Sequence, residues 1–206
     1  MLEPDLQVEL SLRRQGYQII VGLDEVGRGA WAGPVVASAV ALPLHLAGLE
    51  SRLAGVRDSK QLSPRQRESL LPAIQNTALA VGVGFVSAAQ IDRMGIVPAT
   101  RQAMLLALVE LGLYPDYLII DALRLPIHVP QRAIIRGDAQ CLSIAAASIV
   151  AKVARDRWMA AQESCYPGYG FVRHKGYGTA QHRWALESLG TCPLHRMSFA
   201  PCTPHS

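Results

Sequence analysis

The chain has little of what secreted or membrane-bound proteins rely on. Its four cysteines, Cys141, Cys165, Cys192 and Cys202, form no CxxC pair among 206 residues. A disulfide framework is therefore not expected. Residues 1–14 are mixed in charge and lack the apolar centre of a signal peptide. The longest apolar stretches are broken by Glu110, Asp116, Asp121 or Lys152, which excludes a membrane span. There is no internal repeat and no low-complexity tract. The arginines are spread along the chain, the net charge is only +4 and the pI is near 9.0. That mild basicity permits a polyanionic partner without requiring one. The expected setting is cytoplasmic and reducing, with no membrane contact and no obligate protein partner.

Half of the residues are hydrophobic, enough for one well-buried core. Residues 18–23, 35–42 and 81–86 read as strands, and Tyr117 to Ile120 and Arg132 to Ile135 as two more. Ser63-Pro64 opens a helix running to about Asn76, with Ser63 as its N-cap. Residues 98–111 have helical spacing and stop near Gly112. Residues 142–162 are Ala-rich without Gly or Pro, which predicts a long buried helix. A shorter helix follows from Thr179 to Leu189, and Thr203 to Ser206 reads as a disordered tail. The expected fold is α/β: a mixed central sheet flanked by helices (about 17–162) and a small C-terminal helical and loop addition (about 163–206), all in one domain.

The most informative stretch is VGLDEVGRGAWAGP, from Val21 to Pro34. An apolar run ends in two adjacent acids, Asp24 and Glu25. Desolvated carboxylates need a cationic partner. Gly27 and Gly29 allow backbone N–H groups to approach an anion, and Arg28 between them can pair with phosphate. Two further apolar runs end in acid, at Asp121 and at Gly137-Asp138. If the three strands are neighbours, Asp24, Glu25, Asp121 and Asp138 gather at one rim of the sheet, where open α/β sheets place ligands. Oxygen-only ligands select Mg²⁺ or Mn²⁺ rather than zinc. Two such ions suit phosphodiester hydrolysis. One difficulty is steric: neighbouring residues of a strand face opposite ways. Asp24 and Glu25 serve one site only if the strand ends there, or if one offers its main-chain carbonyl. The glycines that follow favour an early end.

With these residues in place, the sequence resembles ribonuclease HII. The blocks that carry the likeness are GLDEVGRGAWAGPV from Gly22, DSKQLS from Asp58, GDAQCLSIAAASIVAKVARDR from Gly137, YPGYGFVRHKGYGT from Tyr166 and HRMSF from His195. The resemblance implies the RNase H-like fold, a monomer, and cleavage of the RNA strand of RNA–DNA hybrids. It also implies incision on the 5′ side of a single ribonucleotide in duplex DNA, leaving a 3′-hydroxyl and a 5′-phosphate. By motif position, Asp24, Glu25, Asp121 and Asp138 are the metal-binding acids. Gly27, Arg28 and Gly29 match the motif that recognises ribose and phosphate, and Tyr177 matches the tyrosine that senses the 2′-hydroxyl. The chain departs from the pattern in three places. Ala122 follows Asp121 where Gly is usual, residues 91–100 lack a usual asparagine, and Ala30-Trp31 follow the GRG triplet.

Other residues carry weaker readings. Lys60 either approaches the DNA backbone or pairs with Asp58. Asp156 reads as an ion-pair partner, and Ser143 and Ser148 as sites of close helix packing. His174, His182 and Cys165 match no common zinc spacing. Two rival functions remain in view, a non-catalytic hybrid-binding module and a DNA-cleaving nuclease with the same acids.

Overall fold

A computed structural model describes residues 3–203. Five strands, β1 (Ile20–Val26), β2 (Val35–Ala41), β3 (Ala80–Val86), β4 (Tyr117–Asp121) and β5 (Gln131–Ile134), form one sheet in the order β3-β2-β1-β4-β5. The first three pair antiparallel, while β4 runs parallel to both β1 and β5. The helices are α1 (Gln7–Arg14), α2 (Leu49–Arg52), α3 (Pro64–Thr77), α4 (Ala88–Met94), α5 (Ile96–Leu111), α6 (Leu142–Ala161), α7 (Phe171–His174) and α8 (Ala180–Leu189). The expected mixed sheet flanked by helices is what forms. Short α1, α2, α4 and α7 were not foreseen.

Alternation along the strands splits the core in two. One face packs Ile20, Val40 and Ile119 against Ile144, Ala147 and Ile149 of α6, with α3 behind. The other packs Val21, Leu23 and Ile120 against Ala99, Ala103 and Met104 of α5. The small residues of α6 let it lie close to β1. A Cβ at Gly22 would collide with the Ser143 backbone, so glycine is required there. Ser63 and Gln66 form a capping box that starts α3, as its sequence predicts. Residues 163–203 build a third small cluster of Tyr169, Phe171 and Ala185 on Ala32 and Met159.

β1 does not end before its acids, contrary to expectation. β2 continues to pair with it at Asp24↔Ser38, Glu25↔Ala37 and Val26↔Val36. Of the expected tail, only Thr203 lies within the described residues. No helix among those residues is long and apolar enough to cross a membrane.

Candidate active site

The sheet topology brings the predicted acids together. β1 and β4 pair in parallel up to Leu23↔Ile120, so the next residues along, Asp24 and Asp121, lie side by side. Asp138 follows β5 on a short 3-10 turn, and the Gly137 N–H donates to Asp121 Oδ1 at 2.8 Å. Because β1 runs on, its pleat sends Asp24 and Glu25 to opposite faces. Asp24 takes the α6 side, near Ser148, and its Oδ1 accepts the Glu25 N–H at 2.8 Å. Glu25 Oε1 accepts from Arg28 Nη1 at 3.1 Å.

Electrostatics mark this rim as short of positive charge. Burial pushes Asp24 well above the usual carboxylate range, and the charges of Glu25 and Asp121 add to it. Burial also raises Glu25, against the pull of Arg28. Asp138 is raised by burial and by Asp58, against Lys60. Asp58 is thus a fifth acid at the rim, which the sequence reading treated only as a partner for Lys60. Lys60 itself turns to Asp138, with Nζ 3.4 Å from Oδ2, while its main-chain N–H donates to Asp58 Oδ1 at 2.9 Å. Burial lowers the Lys60 ammonium, but Asp138, Asp58 and Asp24 outweigh it and hold the group raised.

The donor set fits a hard divalent cation. It is all oxygen, and Glu25 Oε2 is buried without a hydrogen-bond partner. Among the described residues, no three His, Cys, Asp or Glu side chains are drawn together tightly enough to cage an ion as they stand. Arg28 and Lys60 partly neutralise Glu25 and Asp138 instead.

The glycine-rich turn sits beside the acids. Gly27 has φ +90°, and a Cβ there would collide with the Arg155 guanidinium, so no other residue fits. The Gly176 carbonyl accepts from the Trp31 and Ala32 N–H groups at 2.8 and 3.2 Å, which docks the Tyr177 loop on this turn. Tyr177 is half-buried, with Lys152 Nζ 5.4 Å and Arg155 Cζ 5.1 Å from its ring centre.

The remaining readings resolve as follows. Asp156 pairs with Lys152 at 2.7 Å and Arg67 at 3.4 Å. The Ser143 hydroxyl donates to buried Glu9 and that of Ser148 to Ser59. His174 and His182 stack 4.4 Å apart, both hydrogen-bonded to the main chain, and Cys165 is exposed. Ala122 has φ +53°, the left-handed conformation a glycine takes without strain. Reading the sequence missed two buried arginines, Arg155 and Arg196. Their only signal was membership of quoted blocks, Arg155 in the one from Gly137 and Arg196 in HRMSF.

The ribonuclease HII family matches residues 21–202. The ribonuclease HII of Chloroflexus aurantiacus is 56% identical over 199 residues, covering 96% of this chain and 94% of the relative. The crystal structure of ribonuclease H2 from Pyrococcus horikoshii OT3 superposes with a TM-score of 0.72 at 27% identity, over 89% of this chain and 95% of that one. Ribonuclease HII of Archaeoglobus fulgidus, solved in its complex with PCNA, gives a TM-score of 0.72 at 26% identity, over 88% and 95% of the two chains. With matches that span nearly all of its length, the chain belongs to the ribonuclease HII family and is a ribonuclease.

Proposed function

We propose that this ribonuclease cuts the RNA strand of RNA–DNA hybrids and incises on the 5′ side of single ribonucleotides in duplex DNA, leaving a 3′-hydroxyl and a 5′-phosphate. Such incision is the opening step of ribonucleotide excision repair. The observation that carries the reading is the meeting of Asp24, Glu25, Asp121 and Asp138 at one sheet rim, beside the Gly27–Gly29 turn.

Asp24, Glu25, Asp121 and Asp138 are the residues that would hold two divalent ions, Mg²⁺ or Mn²⁺. Ions held there would supply the chemistry of lowering the pKa of water and stabilising the leaving oxygen of a phosphodiester. Glu25 would contribute through its main-chain carbonyl or after a side-chain turn, since its carboxylate leaves β1 on the face opposite Asp24. Arg28 and Lys60 sit at the edge of the acids and exchange a carboxylate for a substrate phosphate when the nucleic acid arrives.

Discrimination rests on the 2′-hydroxyl, the group that separates RNA from DNA at one nucleotide. The Gly27–Gly29 main chain brackets it without side-chain bulk. The Tyr177 ring offers a planar face to the adjoining sugar and a phenol to the hydroxyl. A deoxyribose would leave those polar groups unpaired, at about 1–3 kcal/mol for each buried group.

A single cleavage experiment tests the reading. Purified protein is given a duplex with one ribonucleotide, an RNA–DNA hybrid and an all-DNA duplex, in Mg²⁺ and in Mn²⁺. The first two are cut and the third is not. Efficient cutting of all-DNA duplex, or binding without cutting, overturns it in favour of a DNA nuclease or a hybrid-binding module.

A further inference from the structure

Arg155 and Arg196 are the two largest fully buried side chains, each with 0% exposure. Among the described residues neither pairs with a carboxylate. A buried cation without an acid needs other compensation. Here it comes from a fan of main-chain carbonyls. Arg196 donates from Nη1 to the Arg28 carbonyl at 2.8 Å, and from Nη2 to those of Gly27 at 2.7 Å and Gly33 at 2.9 Å. Its Nε donates to the Gly33 carbonyl at 3.0 Å. Arg155 donates to the carbonyls of Pro34 at 2.8 Å, Lys175 at 2.9 Å and Ala32 at 3.0 Å.

The consequence follows from peptide planarity. In a trans peptide the N–H points opposite to the C=O. When the carbonyls of Gly27 and Arg28 turn inward to Arg196, the N–H groups of Arg28 and Gly29 turn outward. Neither of those N–H groups has a main-chain acceptor among the described residues. Two adjacent outward N–H groups form a concavity that suits an anionic oxygen.

We propose that Arg196 is a positioning residue for the substrate, holding the Gly27 and Arg28 carbonyls inward so that the Arg28 and Gly29 N–H groups face the nucleic acid. The inference rests on the function proposed above and assigns the orientation of that turn to one distant side chain. Arg155 completes the clamp, tying Ala32 and Pro34 to the Lys175 carbonyl and so to the Tyr177 loop. Arg196 is held in turn by its own main chain. Its N–H donates to the Trp31 carbonyl at 2.8 Å, and Asp92 accepts from the Met197 and Ser198 N–H groups at 2.9 Å each. Lysine would not replace it, because a single ammonium lacks the planar fork that reaches three carbonyls at once.

The test begins with wild-type protein on the single-ribonucleotide duplex. If that is not cut, the functional reading fails, whatever Arg196 does. If it is cut, Arg196→Lys is compared with Arg157→Lys, a change at an exposed arginine paired with Glu68. Arg196→Lys is expected to raise KM by about tenfold or more, with kcat nearly kept and the folded fraction intact by circular dichroism. Arg157→Lys should match the wild type. A fall in kcat at constant KM, tracking the folded fraction, would mean that Arg196 only supports the fold, and would overturn the proposal. Amide NMR of the wild type in EDTA decides the matter even if Arg196→Lys does not fold. The Arg28 and Gly29 resonances should shift when the ribonucleotide duplex is added. Unmoved resonances with bound duplex overturn it equally.

Discussion

His195 Nε2 lies 3.1 Å from His182 Nε2, and the surrounding partners fix which ring donates. The Cys192 N–H donates to His195 Nδ1 at 2.8 Å, so His195 carries its proton on Nε2. His182 Nδ1–H donates to the Tyr177 carbonyl at 3.0 Å, which leaves its Nε2 free to accept. His174 stacks on His182 and donates from Nε2 to the Tyr169 carbonyl at 2.7 Å. The network works only with neutral rings, and it ends on the main chain of the proposed sugar-sensing tyrosine.

Acidification should therefore loosen this region. Burial pushes His182 from 6.5 down to about 4, and burial also lowers His174 and His195. As pH falls from 6.5 towards 4, the unfolded chain binds a proton that the folded chain refuses, so stability falls. The contribution is complete above that window. The buried acids act in the opposite sense, since a raised carboxyl is protonated more readily in the folded state. Comparing urea midpoints of wild type and His182→Gln at pH 7 and pH 5 isolates the histidine. His182→Gln should be less stable at pH 7, yet lose about 1 kcal/mol less on moving to pH 5. Parallel losses in the two proteins would dismiss the network as a pH-sensitive element.

Asp24→Asn should abolish nearly all cleavage while hybrid binding persists, and it should raise the melting temperature of metal-free protein. The buried charge it removes is opposed by burial, Glu25 and Asp121 together. Relief of about 1 kcal/mol is expected. Asp138→Asn should lose cleavage in the same way. Wild-type rates for either variant in Mg²⁺ would dismiss the metal assignment.

Divalent ions should stabilise the wild type by mass action. Titrating Mn²⁺ or Mg²⁺ during thermal melts should raise the midpoint for wild type and leave Asp24→Asn nearly unmoved. An equal rise in both would locate the binding elsewhere.

Ala122→Gly should stabilise the protein by about 0.5–1 kcal/mol. Relief of left-handed strain at φ +53° outweighs the greater entropy of glycine in the unfolded chain. Denaturant midpoints would show it. A destabilised variant would mean that the Ala122 methyl has packing value greater than its strain.

Tyr177→Phe should impair cutting at single ribonucleotides far more than it lowers the melting temperature. The half-buried ring keeps its packing under Arg155 and Lys152, and only the phenol is lost. Matched falls in stability and activity would instead mark Tyr177 as a core residue.

Much of this site was legible in the sequence because burial and charge conflict there. Apolar runs ending at Asp24 and Asp121 demanded an explanation before any coordinates did. The long α6 was legible from its alanines, and α3 from its Ser63-Pro64 start. The extension of β1 through Glu25 was not, because it depends on pairing with β2, a partner that no local pattern names. Arg196 was equally hidden. An arginine compensated by carbonyls leaves no acid at a telling distance in the sequence. Asp58 was visible, but its approach to Asp138 comes only from the turn before α3.

The link between Arg196 and Arg28 spans 168 residues. Contacts of such separation carry a large loop-closure entropy. While the chain is still being synthesised, its opening strands exist before the side chain that sets their turn. A chain not yet extended to residue 196 therefore lacks the donor that holds the Gly27 and Arg28 carbonyls.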